Sequence, residues 1–394
     1  MVTSEGSNIV SVSWSDHLVF GKGDGRLATI AALTRRMQSW KQELNGGIIH
    51  WRCTRDRIRG RFYEGRGHRH FFRPGKSNID WDDFEVIPEI AHSHDFKVFL
   101  YVSLFDEGWP LLPKKIRDVS YHNRMHCQHV SWQSEFSKKN SQYALVDRTL
   151  RKHQWGVLCL GYRQVRKHLI HRYLRLLRSG NFDGLFVCLR SQSRPADRAD
   201  QYGFNVPIQR EYLKRYGIDI QSEDFDLQCW RDLLGEFLTC FITDLRKALN
   251  DLDPKLQLAI GAPRGSVLGP PMGNTTLQWP IWVREEIIDQ LIIDQNSSKC
   301  PSMWHELWPM HRGIGYLQNY LNGHGMNLLE EDISKTYAPM FDAKSTKLYV
   351  ARQWQERSET KEEELLSLPG VAGLVFSSFR HDNPGTIKQN NWIA

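Results

Sequence analysis

No apolar run in the chain approaches the roughly 18 residues that a membrane-spanning helix needs, so membrane insertion is excluded on this reading. There is no CxxC pair. The seven cysteines (Cys53, Cys127, Cys159, Cys188, Cys229, Cys240 and Cys300) are odd in number and widely spaced. That pattern argues against a disulfide framework, and Cys159 and Cys188 sit in apolar runs as small buried thiols do. The amino terminus, MVTSEGSNIV, lacks a charged region followed by an apolar one. The chain is therefore read as cytoplasmic or, where a leader has been removed, as secreted or periplasmic. Low-complexity tracts are absent, and so is any repeat of fixed period other than the alternation described below.

Cofactor signatures are equally scarce. Gly21 to Arg26, GKGDGR, has the glycines of a phosphate loop but not its GK[ST] ending, and reads as a turn into a helix. There is no HExxH. Tyr121 to His129, YHNRMHCQH, gathers His122, His126, Cys127 and His129, residue types that zinc favours, without the spacing of a further ligand. It is read as a polar loop in which His122 contacts substrate, so neither metal nor cofactor is expected. The formal charge of +7 is modest for 394 residues. It fits a solvated surface or an anionic substrate, and no nucleic-acid recognition motif stands beside it.

What the chain does have is a recurring grammar: helix, apolar strand, polar cluster. FDGLFVCLR (182–190) ends in Arg190, Ser191 and Gln192. NIVSVSW leads to Asp16, GGIIHWR to Arg55 and Asp56, KVFLYVS to Asp106 and Glu107, and LQLAIGA to Arg264. QLIID ends on Asp294, KLYVARQW reaches Glu356, and GLVFSSFR reaches Asp382. Eight such strands with chemistry at their carboxyl ends predict an α/β fold, a (β/α)8 barrel of the TIM type, spanning 1–394 as one domain. Helices are predicted at 26–44, 81–94, 165–177, 226–249, 285–288 and 359–368, from apolar spacing and from stop signals such as Asn45-Gly46-Gly47. Gly235, inside the clearest of them, is expected to mark close packing. Two aperiodic stretches, 107–156 and 192–224, are expected to lie over the active-site face as long loops.

The segments IPEIAHSHDFKVFLYVSLFDEG, GVLCLGYRQVRKHLIHRYLRLLRSGNFDGLFVCLRSQSRP, YGFNVPIQREYLKRYGIDI and WRDLLGEFLTCFITDLRKAL together resemble the family-10-like glycoside hydrolase group of bacterial barrels. The resemblance runs over roughly residues 8–382. It implies a (β/α)8 fold and action on a polysaccharide or oligosaccharide. The chain departs from related barrel hydrolases in carrying Cys188-Leu189-Arg190 where an acid commonly ends the fourth strand.

Glycosidic cleavage needs two carboxyl groups, one as acid and one as nucleophile or base, about 5–10 Å apart. Asp294 is the sharpest candidate, because it follows an apolar run and would sit over a low-dielectric base. Glu356, Asp106 and Glu107 are the candidate partners, and at most one of the adjacent Asp106 and Glu107 faces the site. Each has a structural alternative as a cap or a surface charge. Arg52, Arg190 and Arg264 could hold an acidic sugar through bidentate contacts, or could simply neutralise these acids. Trp14, Trp51 and Trp354 are read as exposed stacking platforms, with Asp16 and Gln192 as further sugar contacts. The alternatives to hydrolysis are a barrel that binds glycan without cutting it, and a lyase acting on uronic acid through Arg52, His122 and Tyr121. The oligomeric state has no signature in the sequence.

Overall fold

The computed structural model describes residues 8–12, 30–52, 60–64, 83–105, 107, 130–189, 201–268, 275–297, 328–353 and 357–377. The strands are β1 (Asn8–Val12), β2 (Gly46–Trp51), β3 (Gly60–Glu64), β4 (Lys97–Ser103), β5 (Val130–Ser134), β6 (Ala144–Val146), β7 (His153–Leu158), β8 (Gly184–Cys188), β9 (Gln257–Arg264), β10 (Gln290–Ser297), β11 (Lys347–Gln353) and β12 (Val371–Ser377). Eight of them close a parallel barrel in the order β1-β2-β4-β8-β9-β10-β11-β12, with β12 pairing back onto β1. These are the eight predicted strands, in chain order. Parallel strands covered on both faces are mostly apolar, which is why each reads as a nearly continuous hydrophobic run.

The ladder registers fix the interior. Ile9 pairs with Ile48, His50 with Phe99, Phe99 with Gly184, Phe186 with Ala259, Ile292 with Gly261 and with Tyr349, and Ile9 with Val375. Stepping two strands at a time and advancing two residues per step returns to the starting residue, the shear of about eight usual for this barrel. One interior layer is therefore Ile9, Phe99, Ala259 and Tyr349, and the next is His50, Phe186, Ile292 and Val375. The stack of His50 on Phe186, with centroids 4.1 Å apart, shows the second layer directly. Small residues on β9 make room for large ones opposite: a Cβ at Gly261 would come within 2.8 Å of the Phe186 ring. Residues of the other parity, such as Val10, Ile49, Leu100, Val187 and Ile260, form the larger core between barrel and helices.

The helices are α1 (Ile30–Glu43), α2 (Asp83–Ser93), α3 (Glu135–Lys139), α4 (Arg163–Leu177), α5 (Val206–Tyr216), α6 (Leu227–Leu252), α7 (Trp279–Arg284), α8 (Leu329–Asp332), α9 (Ala338–Phe341) and α10 (Glu359–Ser367), with a π turn at Ile333–Tyr337. The helix expected at 285–288 lies instead at Trp279–Arg284. Pro280 suits its first turn, and Glu286 turns the chain out with φ 51°. Acids at the amino ends of strands hold the barrel floor. Asp183 Oδ2 accepts from Val98 N at 2.7 Å and meets His92 Nε2 at 2.8 Å. Asp289 Oδ2 accepts from Leu258 N and Arg246 Nη1, both at 2.6 Å.

The described parts of the two insertions are folded. β5 follows the carboxyl end of β4 and pairs antiparallel with β3, which follows the carboxyl end of β2. β6 and β7 make a second antiparallel pair, and Asp147 bridges to Tyr202 in the other insertion. Asn205 fastens that junction, donating to Ala144 O at 2.8 Å and accepting from Val146 N at 3.3 Å. α5 begins with Pro207 in its first turn and stops at Gly217 with φ 70°. Those start and stop signals stand in a segment that reads as a loop from its overall aperiodicity.

Gly235 packs α6 against backbone: a Cβ there would collide with the carbonyl oxygen of Thr276. Gly235→Ala should destabilise the fold by about 1–3 kcal/mol despite the better helix propensity of alanine. Urea unfolding of the two proteins checks this, and equal or greater stability of the alanine variant would contradict the packing argument.

Candidate active site at the barrel mouth

Two residues above the His50 layer, the same stepping rule gives the layer that opens to the carboxyl face: Arg52, Cys188, and positions 294 and 377. Asp294 lies in β10 in register with Ala351, at the parity of Ile292. For this residue the described feature is the backbone register. Arg52 continues β2 through a bond from its N–H to Val12 O at 2.9 Å. It is fully buried, with its guanidinium 5.3 Å from the centroid of the Tyr101 ring. Tyr101 in turn packs edge-on against Phe186 at 4.8 Å. The floor of the mouth is thus aromatic, and a buried cation stands on it.

Trp51 is not a stacking platform. It is 1% exposed and has the other parity on β2, so its indole lies among the residues between barrel and helices. A one-residue offset decides which of two neighbours enters the barrel, and here His50 and Arg52 do. His50, which the sequence reading passed over, is wholly buried between Phe186 and Phe99. Among the described residues neither of its ring nitrogens is hydrogen-bonded. Burial pushes its pKa from 6.5 down to about 3, so the ring is neutral.

Glu107 is also wholly buried. Its Oε1 accepts from Arg172 Nη1 at 2.7 Å, its Oε2 accepts from Ser134 Oγ, and its backbone N–H donates to Gly156 O at 3.2 Å. Ser134 Oγ caps α3 by accepting from Ser137 N at 2.9 Å. The carboxylate therefore ties the first insertion to α4 on the barrel's flank. Arg264 pairs with Asp332 at 2.6 Å, and the N–H of Gly265 donates to Tyr337 Oη at 3.0 Å. These two contacts fix the segment from Asp332 to Tyr337 to the end of β9. Asp106, Asp16, Trp14, Arg190, Gln192, Trp354, Glu356 and His122 lie outside the described residues. Among the described residues no cluster of three or more His, Cys, Asp or Glu could hold a metal, and no helix is long and apolar enough to cross a membrane.

The chain is similar in fold to solved glycoside hydrolase barrels. The glycoside hydrolase domain of PgaB (BpsB) from Bordetella bronchiseptica is 14% identical, with 98% of this chain and 99% of that chain covered and a TM-score of 0.52. The maltogenic α-amylase AmyB from Thermotoga neapolitana is 10% identical, covering 96% of this chain and 68% of that one, with a TM-score of 0.42. An α-amylase from Lactobacillus plantarum is 12% identical, covering 96% and 71%, with a TM-score of 0.42. At such identities the likeness to the Bordetella domain is one of fold. No family model and no curated protein sequence matches the chain.

Two measurements separate structure from chemistry at these positions. Glu107→Gln leaves Arg172 buried without its counter-charge and should cost about 3 kcal/mol of stability by urea unfolding. Unchanged stability together with lost turnover would instead make Glu107 a reacting group. For His50, the folded pKa of about 3 lies below the unfolded value of 6.5, so the unfolded chain binds the extra proton between these limits. Stability should therefore fall as pH drops below 6.5, by up to about 1.4 kcal/mol per unit. His50→Phe should flatten that acid limb, and an identical pH profile in the variant would refute the assignment.

Proposed function

We propose that the barrel mouth hydrolyses glycosidic bonds in a polysaccharide, in the manner of the family-10-like glycoside hydrolases, with Asp294 as one of two reacting carboxyl groups. What supports this reading is the backbone register, which sets position 294 level with Arg52 at the carboxyl end of the barrel, above aromatic rings. In such barrels that end is where chemistry is done. Asp106 and Glu356, which follow β4 and β11 in the sequence, are the candidate second carboxyl groups. One carboxyl group, protonated, gives its proton to the glycosidic oxygen as the bond breaks; the other attacks the anomeric carbon or activates water. Glu107 is read as an anchor, since both of its oxygens are engaged away from solvent.

An acidic glycan is part of this proposal, with Arg52 as one contact, because a guanidinium presents the donor geometry that matches a carboxylate or sulfate. Trp14 and Trp354 are proposed as stacking surfaces, with Asp16, Arg190, Gln192 and His122 as polar contacts. The second reading is a barrel that binds glycan without cutting it. It draws on Cys188, a thiol that occupies the mouth position of the fourth barrel strand.

Asp294→Asn keeps the shape and removes the titratable group. On a panel of neutral and acidic polysaccharides, with product detection, it should lower turnover at least a hundredfold. Wild-type turnover in a folded variant would remove Asp294 from the mechanism. A product absorbing in the ultraviolet would indicate elimination, and release of no product by the wild type would favour the binding reading.

A further inference from the structure

One helix, α4, carries a run of positive charge without an intervening acid. From Arg163 to Arg178 there are six Arg or Lys and no acid, against a net charge of +7 for all 394 residues. Two of the six are paired: Arg166 with the exposed Asp244 at 3.2 Å, and Arg172 with the buried Glu107 at 2.7 Å. The other four, Arg163, Lys167, Arg175 and Arg178, are exposed and make no ion pair among the described residues. With His171, also exposed, they recur at steps of four, four, four and three residues. That spacing lines them up along one face of α4. α4 enters from the carboxyl face and runs down the flank toward the start of β8, so the stripe leaves the mouth side and extends about 22 Å. Lys138 and Lys139 are exposed on α3, whose Phe136 stacks on His168 of α4 with centroids 3.6 Å apart.

Such a stripe is locally unfavourable. Like charges four residues apart oppose helix formation, and Arg163 and Lys167 sit at the end where the helix dipole prefers acids. We propose that the outer face of α4 is a docking track for a linear acidic polysaccharide, apart from the mouth. Four cations at rises of about 6, 12 and 4.5 Å along one face suit a narrow extended polymer that carries carboxylates at intervals. Duplex nucleic acid carries charge far more densely and would need a broader basic face. A membrane surface would need exposed apolar side chains beside the charges, whereas Val165, Leu169, Tyr173 and Leu176 of α4 are buried in the core. The choice of a polysaccharide rests on the proposed function; the track itself does not.

The test uses the full chain carrying Asp294→Asn, so that bound polymer is not consumed, titrated calorimetrically with polygalacturonate at two salt concentrations. Replacing Arg163, Lys167, Arg175 and Arg178 together by Gln should weaken binding at least tenfold and flatten its salt dependence. Replacing the exposed Arg35, Lys214, Lys247 and Lys255 by Gln removes the same charge elsewhere and should change affinity less than twofold. Equal binding by the α4 variant, equal loss in the control, or tighter binding of phosphatidylserine vesicles or duplex DNA than of polygalacturonate would overturn the proposal. The pair Lys167→Gln with Arg175→Gln, expected to weaken binding about threefold, decides the question if the fourfold variant does not fold. If the wild type cuts nothing on the panel yet polymer binding still depends on α4, the hydrolysis reading falls and the track stands.

Discussion

Closure of β1 against β12 is the constraint on which the other features depend. Asn8 stitches that seam: its Nδ2 donates to Leu44 O at 2.9 Å and its Oδ1 accepts from Leu374 N at 2.8 Å. Because the ladder closes with a definite stagger, each interior side chain has three layer-mates contributed by alternate strands. A ring as large as Phe186 is then possible because Gly261 stands beside it, and His50 is held between aromatic faces with no polar partner among the described residues. The same stagger brings Arg52 and position 294, far apart in the chain, into one layer at the mouth.

The additions to the barrel are fastened by buried polar groups used in pairs. Glu107 with Arg172 holds the first insertion to the flank, Asn205 joins the first insertion to the second, and Arg264 with Asp332 holds the segment from Asp332 to Tyr337. A charge removed from water is tolerated where a counter-charge meets it, and each of these groups meets one or donates to backbone carbonyls. The arrangement leaves four exposed cations on the face of α4. Among the described residues, mouth and flank thereby differ: a buried cation over aromatic rings at the mouth, an open series on the flank.

The barrel was legible in the sequence because a strand covered on both faces is mostly apolar along its length, and eight such runs alternating with amphipathic helices have few other solutions. α6 declared itself through its period, and Gly235 through its presence in an otherwise strong helix. Trp51 was misread because a continuous apolar run carries no record of parity. Nothing in GGIIHWR shows which of His50 and Trp51 faces inward until the register with β1 and β4 is known. α5 was masked by the polar residues around it, though Pro207 and Gly217 marked its ends.

The sequence by itself determined the number, order and direction of the barrel strands, the longest helices between them, and the presence of acids and arginines at the strand ends. These follow from burial and periodicity, which are local along the chain. Which polar residues face the mouth, which are spent as anchors and which stay open to solvent was decided by the tertiary structure alone. Glu107 and Arg172, or Arg52 and Tyr101, lie far apart in the chain, and whether a charge is neutralised or free depends on contacts that exist when the barrel has closed.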